Sequence, residues 1–351
     1  MDKTTRSYLI YFGTVLICFF LANKAEKRNN KRILFFIALL LSLVSGLRKW
    51  TVGIDTQNYY WTFNSIQDLS SCFEYNDPLF YVYSYLLMKI NNDAYFPIMV
   101  WSIVSNYLVI YRLWDFKNIS SYKYSVLRYI TIFFLFSFNC MRQFVSIAIV
   151  FYATSYVEKG NYKKFLFFVL IASTFHISSL LAAIYVLLEA FNWKKLTRKQ
   201  KNYISASVLL LPLYALITYY SASGRYERYL MGITMSSFNS LLIKFILLIV
   251  VIMFYYSSKK FFADNNRRLI QIFLFYAIGL IGNAFGTFYR FMERTGYYFY
   301  IYATVYTGVA ANYKRYAWLF RIIILIIILR AFMTNIQTNS MGQMPYLFNW
   351  E

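Results

Sequence analysis

Charge is what this sequence has least of. Charged residues make up 14% of its 351 positions, against 60% hydrophobic and 22% aromatic. A soluble domain of this length needs a far more charged surface, which excludes an ordinary soluble enzyme or binding module. There is one histidine, His176, and only three cysteines, Cys18, Cys72 and Cys140. The cysteines show neither metal spacing nor a paired framework, so they read as small packed hydrophobes. The chain has no Walker-type phosphate loop, no HExxH, no Cys/His metal set, no Gly-rich dinucleotide turn and no D-x-D pair for a metal-bound nucleotide sugar. No metal and no cofactor are expected. If chemistry occurs on a phosphate leaving group, arginines must stabilise it.

The apolar residues come in long runs, not in stripes. A helix crossing the hydrocarbon needs about 20 mostly apolar residues, and runs near that length recur from end to end. A membrane β-barrel would instead show short alternating strands. The expected fold is all-α: a polytopic helical bundle forming one integral membrane domain over 1–351, with about 11–12 transmembrane helices plus re-entrant or interfacial ones. Ten spans are expected at 7–22, 33–50, 94–114, 125–138, 143–157, 202–220, 240–258, 269–287, 297–311 and 318–331. Segment 78–90 is too short to cross and is expected to be re-entrant or interfacial. Segment 165–191 has basic loops at both ends, which makes it a hairpin or broken pair with His176 near its turn. The first apolar run is followed by "NKAEKRNNKR" and not by a cleavage site.

The formal charge of +22 does not mark a nucleic-acid binder. Most Lys and Arg sit in short loops between apolar runs, the positive-inside pattern. Loops 23–32, 115–124, 158–164, 192–201, 259–268 and 312–317 hold 15 Lys and 6 Arg and are assigned to the cytoplasm. Both termini then fall outside. The opposite face inverts the ratio, with Arg48, Arg142, Arg225, Arg228, Arg290 and Arg294 against Lys49. Lysine suffices to orient a loop. Arginine is preferred where a planar fork must grip phosphate in two places. Arg142 stands out, as the one charge between Ile130 and Val157, where an arginine costs about 2.5–3.5 kcal/mol on insertion scales. Simple snorkelling to lipid headgroups is the alternative for any one of these arginines. Six together point to an outward-facing anion site.

The motifs on that face supply the rest. "SGLRKWTVGIDTQNYYWTF" brings Arg48, a tight turn at Gly53, the acid Asp55, and aromatic faces at Tyr59, Tyr60 and Trp61. Such rings suit either sugars or an interfacial belt. "CFEYNDPLFYVYSYLL" brings Glu74 and Asp77, the latter read equally as a plain helix N-cap before Pro78. "FNCMRQFVSIAIVF" places Arg142 and Gln143 at the start of a span, where free helix N–H groups favour phosphate. His176 in "STFHISSL" is a ready general base, with Asp55 as second choice. Arg225 and Arg228 lie three apart, Arg290 and Arg294 four apart, with Glu227 and Glu293 as local pairing partners.

Together "LRKWTVGIDTQNYYWTF", "NDPLFYVYSYLL", "CMRQFVSIAIVFYA", "FLFFVLIASTFHISSLLAAIYVLL" and "YRFMERTGYYF" resemble the EpsG family of Wzy-type polysaccharide polymerases over about residues 30–300. Where that family often has acid-Pro-Gly, this chain has Asp77-Pro78-Leu79. The resemblance implies a metal-independent, GT-C-like glycosyltransferase at the outer face of the bacterial plasma membrane. It would join repeat units carried on undecaprenyl pyrophosphate into O-antigen, capsule or exopolysaccharide. Its partners would be that lipid-linked glycan, membrane lipid and a chain-length regulator protein. On this reading Arg142 and Arg290 hold the pyrophosphate and His176 or Asp55 is the base. Arg48, Gln143, Arg225, Arg228, Arg294, Asp77 and Tyr59 would contact substrate. The rival readings are a lipid-linked oligosaccharide flippase, which needs cations near the midplane, and a glycan ligase, which would carry a large outer domain. A membrane acyltransferase would need a nucleophile–base motif that the sequence lacks.

Overall fold

The computed structural model describes residues 2–189, 197, 244–254, 266–285, 290–313 and 317–351. Every regular element among these residues is a helix. Among the described residues, three helices are long and apolar enough to cross a membrane: Lys3–Arg28, Tyr95–Trp114 and Trp318–Thr338. Shorter apolar helices include Arg32–Gly46, Lys244–Phe254 and Arg268–Ala284. Their surface is inverted relative to a water-soluble protein. Leu9, Leu16, Ile17 and Phe20 are exposed on the first helix, and Ile322, Ile326 and Ile327 on the last. Continuous exposed apolar faces of this kind fit hydrocarbon and not water. The protein is an all-helical membrane bundle.

The described chain forms two compact units, Met1–Ala148 with Thr174–His176 and Thr307–Glu351, and Ile149–Ser173 with Ile177–Tyr306. In the first unit, α1 (Lys3–Arg28) starts where the Asp2 carboxylate accepts from the Thr5 N–H at 3.4 Å, and stops at Asn29, which takes a left-handed conformation with φ 47°. α2 (Arg32–Gly46) packs closely on α5 (Tyr95–Trp114). A Cβ at Gly46 would fall 2.5 Å from the Met99 sulfur and 3.0 Å from the Met99 Cα, so only glycine lets the two backbones come this near. At about 1.5 Å per residue, α5 is about 30 Å long, one hydrocarbon thickness. α3 (Thr56–Ser65) and α4 (Pro78–Ile90) are short helices between α2 and α5. α4 matches the expected non-crossing segment at both bounds. α6 (Tyr122–Arg128) continues as a π-helical stretch, Tyr129–Phe134, where one regular span was expected.

α1 also orders the loops. Near its start, Arg6 ion-pairs with Glu351, the Tyr346 N–H donates to Ser7 Oγ at 2.8 Å, and Tyr11 donates to the Gln343 carbonyl at 2.8 Å. Near its end, Glu26 accepts from Ser121 Oγ at 3.2 Å and Asn23 accepts from Lys123 at 2.9 Å. Both termini therefore gather at one end of α1, and loops 23–32 and 115–124 at the other. The C-terminal segment 339–351 folds back along 47–55. The Lys49 N–H donates to the Leu347 carbonyl at 2.8 Å, and the Gly53 N–H to the Gly342 carbonyl at 2.7 Å.

Helix limits shift in three places. The expected span 33–50 stops being helical at Gly46, because Arg48 bridges backbone to backbone with Phe348. The expected span 297–311 is two helices, Arg290–Tyr300 and Tyr302–Asn312. In 165–191, α8 (Tyr162–Phe175) ends at His176 and a 3-10 stretch, Ile177–Ala183, follows, so the break falls at the histidine. The expected span 202–220 and most of the loops beside it lie outside the described residues.

Candidate functional site

The site forms at the start of α4, at the start of α7 (Met141–Glu158) and at the break after α8. Asp77 stands just before Pro78, which opens α4. Its φ of 57° and ψ of 58° are left-handed, uncommon for any residue but glycine and disfavoured further by the following proline. The expected N-cap bond is not made: the Asp77 side chain caps no α4 N–H. The carboxylate instead turns to two distant partners. Its Oδ2 accepts from Arg142 Nη1 at 3.1 Å, and the same oxygen lies 3.0 Å from His176 Nδ1. A carboxylate only accepts, so Nδ1 carries the proton. That leaves Nε2 as the nitrogen able to take one.

Arg142 is the second residue of α7. Its Nη1 also donates to the Asn76 carbonyl at 2.5 Å. Its guanidinium carbon lies 5.6 Å from the Tyr81 ring centre and 6.0 Å from that of Tyr59, within cation–π range. Burial, partly offset by that guanidinium, pushes the Tyr59 phenol up to about 12, so Tyr59 is neutral at physiological pH. Side-chain exposure is 9% for Asp77, 19% for His176 and 24% for Arg142. The acid is the least exposed of the three, and the two basic groups keep more access to the outside. The anion that Arg142 meets within the chain is Asp77.

An aromatic floor fixes the histidine. Phe175, its immediate neighbour, lies edge-on to Trp101 at 5.1 Å and beside Tyr83 at 5.2 Å. Trp101 Nε1 donates to Ser84 Oγ at 3.0 Å, and Tyr83 donates to Thr174 Oγ1 at 3.2 Å. Phe80 touches Tyr59, Phe63, Trp101 and Phe175 with ring centres 5.9–6.4 Å apart. Such pairs each contribute about 0.5–1.5 kcal/mol beyond their buried area. Phe175 and Tyr81 escaped the sequence reading. The signals available were the Phe-His adjacency and the four-residue step from Asp77 to Tyr81, one helical turn.

Arg48 belongs to a separate cluster. It is 1% exposed, with its guanidinium over the Phe138 ring at 4.6 Å. It donates to the Ser45 carbonyl, to Thr56 Oγ1 at 3.2 Å and to the Phe138 carbonyl at 3.3 Å. These bonds explain its burial without any outside anion. Gly53 holds this layer with φ 96°, and a Cβ there would fall 2.6 Å from Thr56 Oγ1. Asp55 is half-buried at the start of α3, and its N–H donates to Asn139 Oδ1 at 3.3 Å. Gln143 is buried beside Arg142. In the second unit, Arg290 opens the helix Arg290–Tyr300, its side chain outside the described part of the structure, and Arg294 is exposed on the same helix. Glu293, expected as a local arginine partner, accepts from Tyr297 Oη at 3.0 Å. Arg225, Arg228 and Glu227 lie outside the described residues. Among the described residues no three His, Cys, Asp or Glu side chains group closely enough to hold a metal ion.

Residues 31–348, nearly the whole chain, match the EpsG family. The chain belongs to the EpsG family. It is a membrane protein of a Wzy-like polymerase family, and its polysaccharide-polymerase character comes with that membership. No curated protein and no solved structure matches this EpsG-family chain. The matched stretch contains every residue of the His176–Asp77–Arg142 cluster.

Proposed function

We propose that this EpsG-family protein is a glycosyltransferase that joins oligosaccharide repeat units carried on undecaprenyl pyrophosphate. Its site would lie at the outer face of the bacterial plasma membrane, and no metal would take part. One observation carries the chemical assignment: a single oxygen of a largely enclosed acid contacts both the only histidine and the arginine at the start of α7. In the proposed step His176 Nε2 takes the proton of an acceptor sugar hydroxyl. The oxygen attacks the anomeric carbon of the donor unit, and the carbon–oxygen bond to the diphosphate breaks with its electron pair leaving on the diphosphate. Arg142 offsets the charge developing there, at the N-terminus of α7. Asp77 fixes the imidazole tautomer and steadies the imidazolium. Arg290 shares the charge-stabilising role on sequence grounds. The outward location rests on the lysine-rich loops at the far end of α1.

Purified protein in nanodiscs, given the lipid-linked repeat unit extracted from its host, tests the reading. A ladder of longer products that vanishes with His176→Ala supports it. Translocation of the unit without lengthening marks a flippase, and transfer to a different acceptor without a ladder marks a ligase. Either outcome overturns the proposal.

A further inference from the structure

α3 has two faces. Thr56, Tyr59 and Phe63 form the buried one, turned toward Arg48, Arg142 and the Phe80 floor. Gln57, Tyr60, Trp61 and Asn64 follow the spacing that shares a second face, about a third of a turn round the helix. Gln57 and Asn64 are exposed, Trp61 is 53% exposed and Tyr60 is half-buried. Two rings thus lie between two amides. Trp50 stacks on Tyr60 at 6.2 Å and meets Trp61 at 5.7 Å, while Tyr60 rests on Tyr95 at 4.9 Å. The Trp50 N–H donates to Tyr95 Oη at 3.3 Å, fixing the support behind the exposed indole.

We propose that this face binds the sugar rings of the growing glycan, next to the site where units are joined. The occupant follows from chemistry. α3, TQNYYWTFNS, carries no charge, so it offers nothing to phosphate headgroups or to an acidic peptide. It offers what a neutral polyol uses: flat rings for the C–H faces of a pyranose and amides for its hydroxyls. α3 is ten residues long and does not cross the bilayer, so its rings are not the end of a spanning helix, where belt aromatics anchor. Tyr59, one residue before Tyr60, contacts Arg142. A glycan held on Tyr60 and Trp61 therefore lies one helix width from the proposed reaction. Such a hold would keep a chain bound between additions. This proposal rests on the polymerase reading only for the source of the glycan.

The test has two arms on the full chain in nanodiscs. In the first, oligosaccharide released by mild acid from the host's own polysaccharide is titrated while indole fluorescence is followed, with Trp61→Phe locating the signal. Saturable quenching is expected in the wild type and is lost with its reporter in Trp61→Phe; binding read by titration calorimetry is expected to weaken about tenfold in Trp61→Ala and less in Gln57→Ala. No quenching, or equal binding by Trp61→Ala, overturns the proposal. Quenching of Trp61 by brominated lipid but not by glycan shows a membrane belt and also overturns it. In the second arm, lipid-linked units are supplied. Trp61→Ala is expected to shorten the modal product severalfold. Unchanged product length overturns the proposal and leaves the polymerase reading standing. Glycan binding through Trp61 in a protein that never lengthens its substrate does the reverse.

Discussion

Asp77→Asn isolates the charge of the carboxylate from its shape. In the native site one oxygen takes both Arg142, at 3.1 Å, and His176, at 3.0 Å. The variant has two ways to sit. With its carbonyl in place of Oδ2, both donors keep an acceptor, but the bond from the neutral imidazole falls from about 1.5–3 kcal/mol to about 0.5–1.5 kcal/mol, and Arg142 loses its ion pair. With its amide nitrogen there, it opposes the Arg142 donor and forces Nδ1 to accept, which puts the proton on Nε2 and removes the base. Mutating the acid of an acid–histidine pair costs about 10⁴ in rate in the serine-protease template, and general-base catalysis as a whole contributes about 10²–10⁴. Dimer formation from lipid-linked units is therefore expected to slow by about 10²–10⁴ in Asp77→Asn. The protein should insert normally and keep its helical circular dichroism, because Asp77 makes no helix-cap bond to lose. First-turnover rates per inserted molecule measure this. A rate within threefold of wild type, with His176→Ala at background, would refute the orienting role of Asp77.

Three further outcomes follow from the same geometry. His176→Ala is expected to lower the dimer-forming rate by about 10²–10⁴, read on the same single-turnover assay. Arg142→Lys keeps a charge but loses the planar guanidinium that lies by the Tyr59 and Tyr81 rings while its Nη1 serves Asn76 and Asp77. It should slow turnover by about tenfold, and Arg142→Ala by about 10²–10³; equal rates for both variants would refute a role for the charge, and a wild-type rate in Arg142→Lys would show that charge alone matters. Arg48→Met should act on stability instead, costing about 2–4 kcal/mol by leaving the Ser45 and Phe138 carbonyls short of a donor. Its melting temperature in detergent should fall, while the rate per folded molecule stays within a few-fold of wild type.

The fold was legible where one physical cause dominates. Apolar run length found α1, α5 and the last helix, and lysine-rich loops grouped 23–32 with 115–124 at one end of α1. The break at His176 was legible because a run with basic loops at both ends cannot cross once. The limits of α2 were not. Arg48 to Trp50 continue the aromatic-rich run, but their backbone pairs with 347–349, and pairing between backbones leaves no side-chain pattern to read. The same holds for the closure of 339–351 over Gly53.

The site was half legible for a related reason. His176 and Arg142 announce themselves as the lone histidine and the one charge between Ile130 and Val157, since burial makes such groups costly without a partner. Asp77 does not, because an acid before proline at a helix start has a sufficient local explanation in capping. Its partners lie 65 and 99 positions away, and no local spacing encodes them. The charge balance did hold the clue. An arginine and a histidine sunk near one another need an acid, and outside the charged loops few acids remain to supply it. Asp55 and Asp77 were two of them. What separates them is the break after Phe175: packed against Trp101 and Tyr83, it holds the imidazole against the start of α4 and not against α3. The acid's identity is thus a consequence of aromatic packing, which becomes visible only once the helices are assembled.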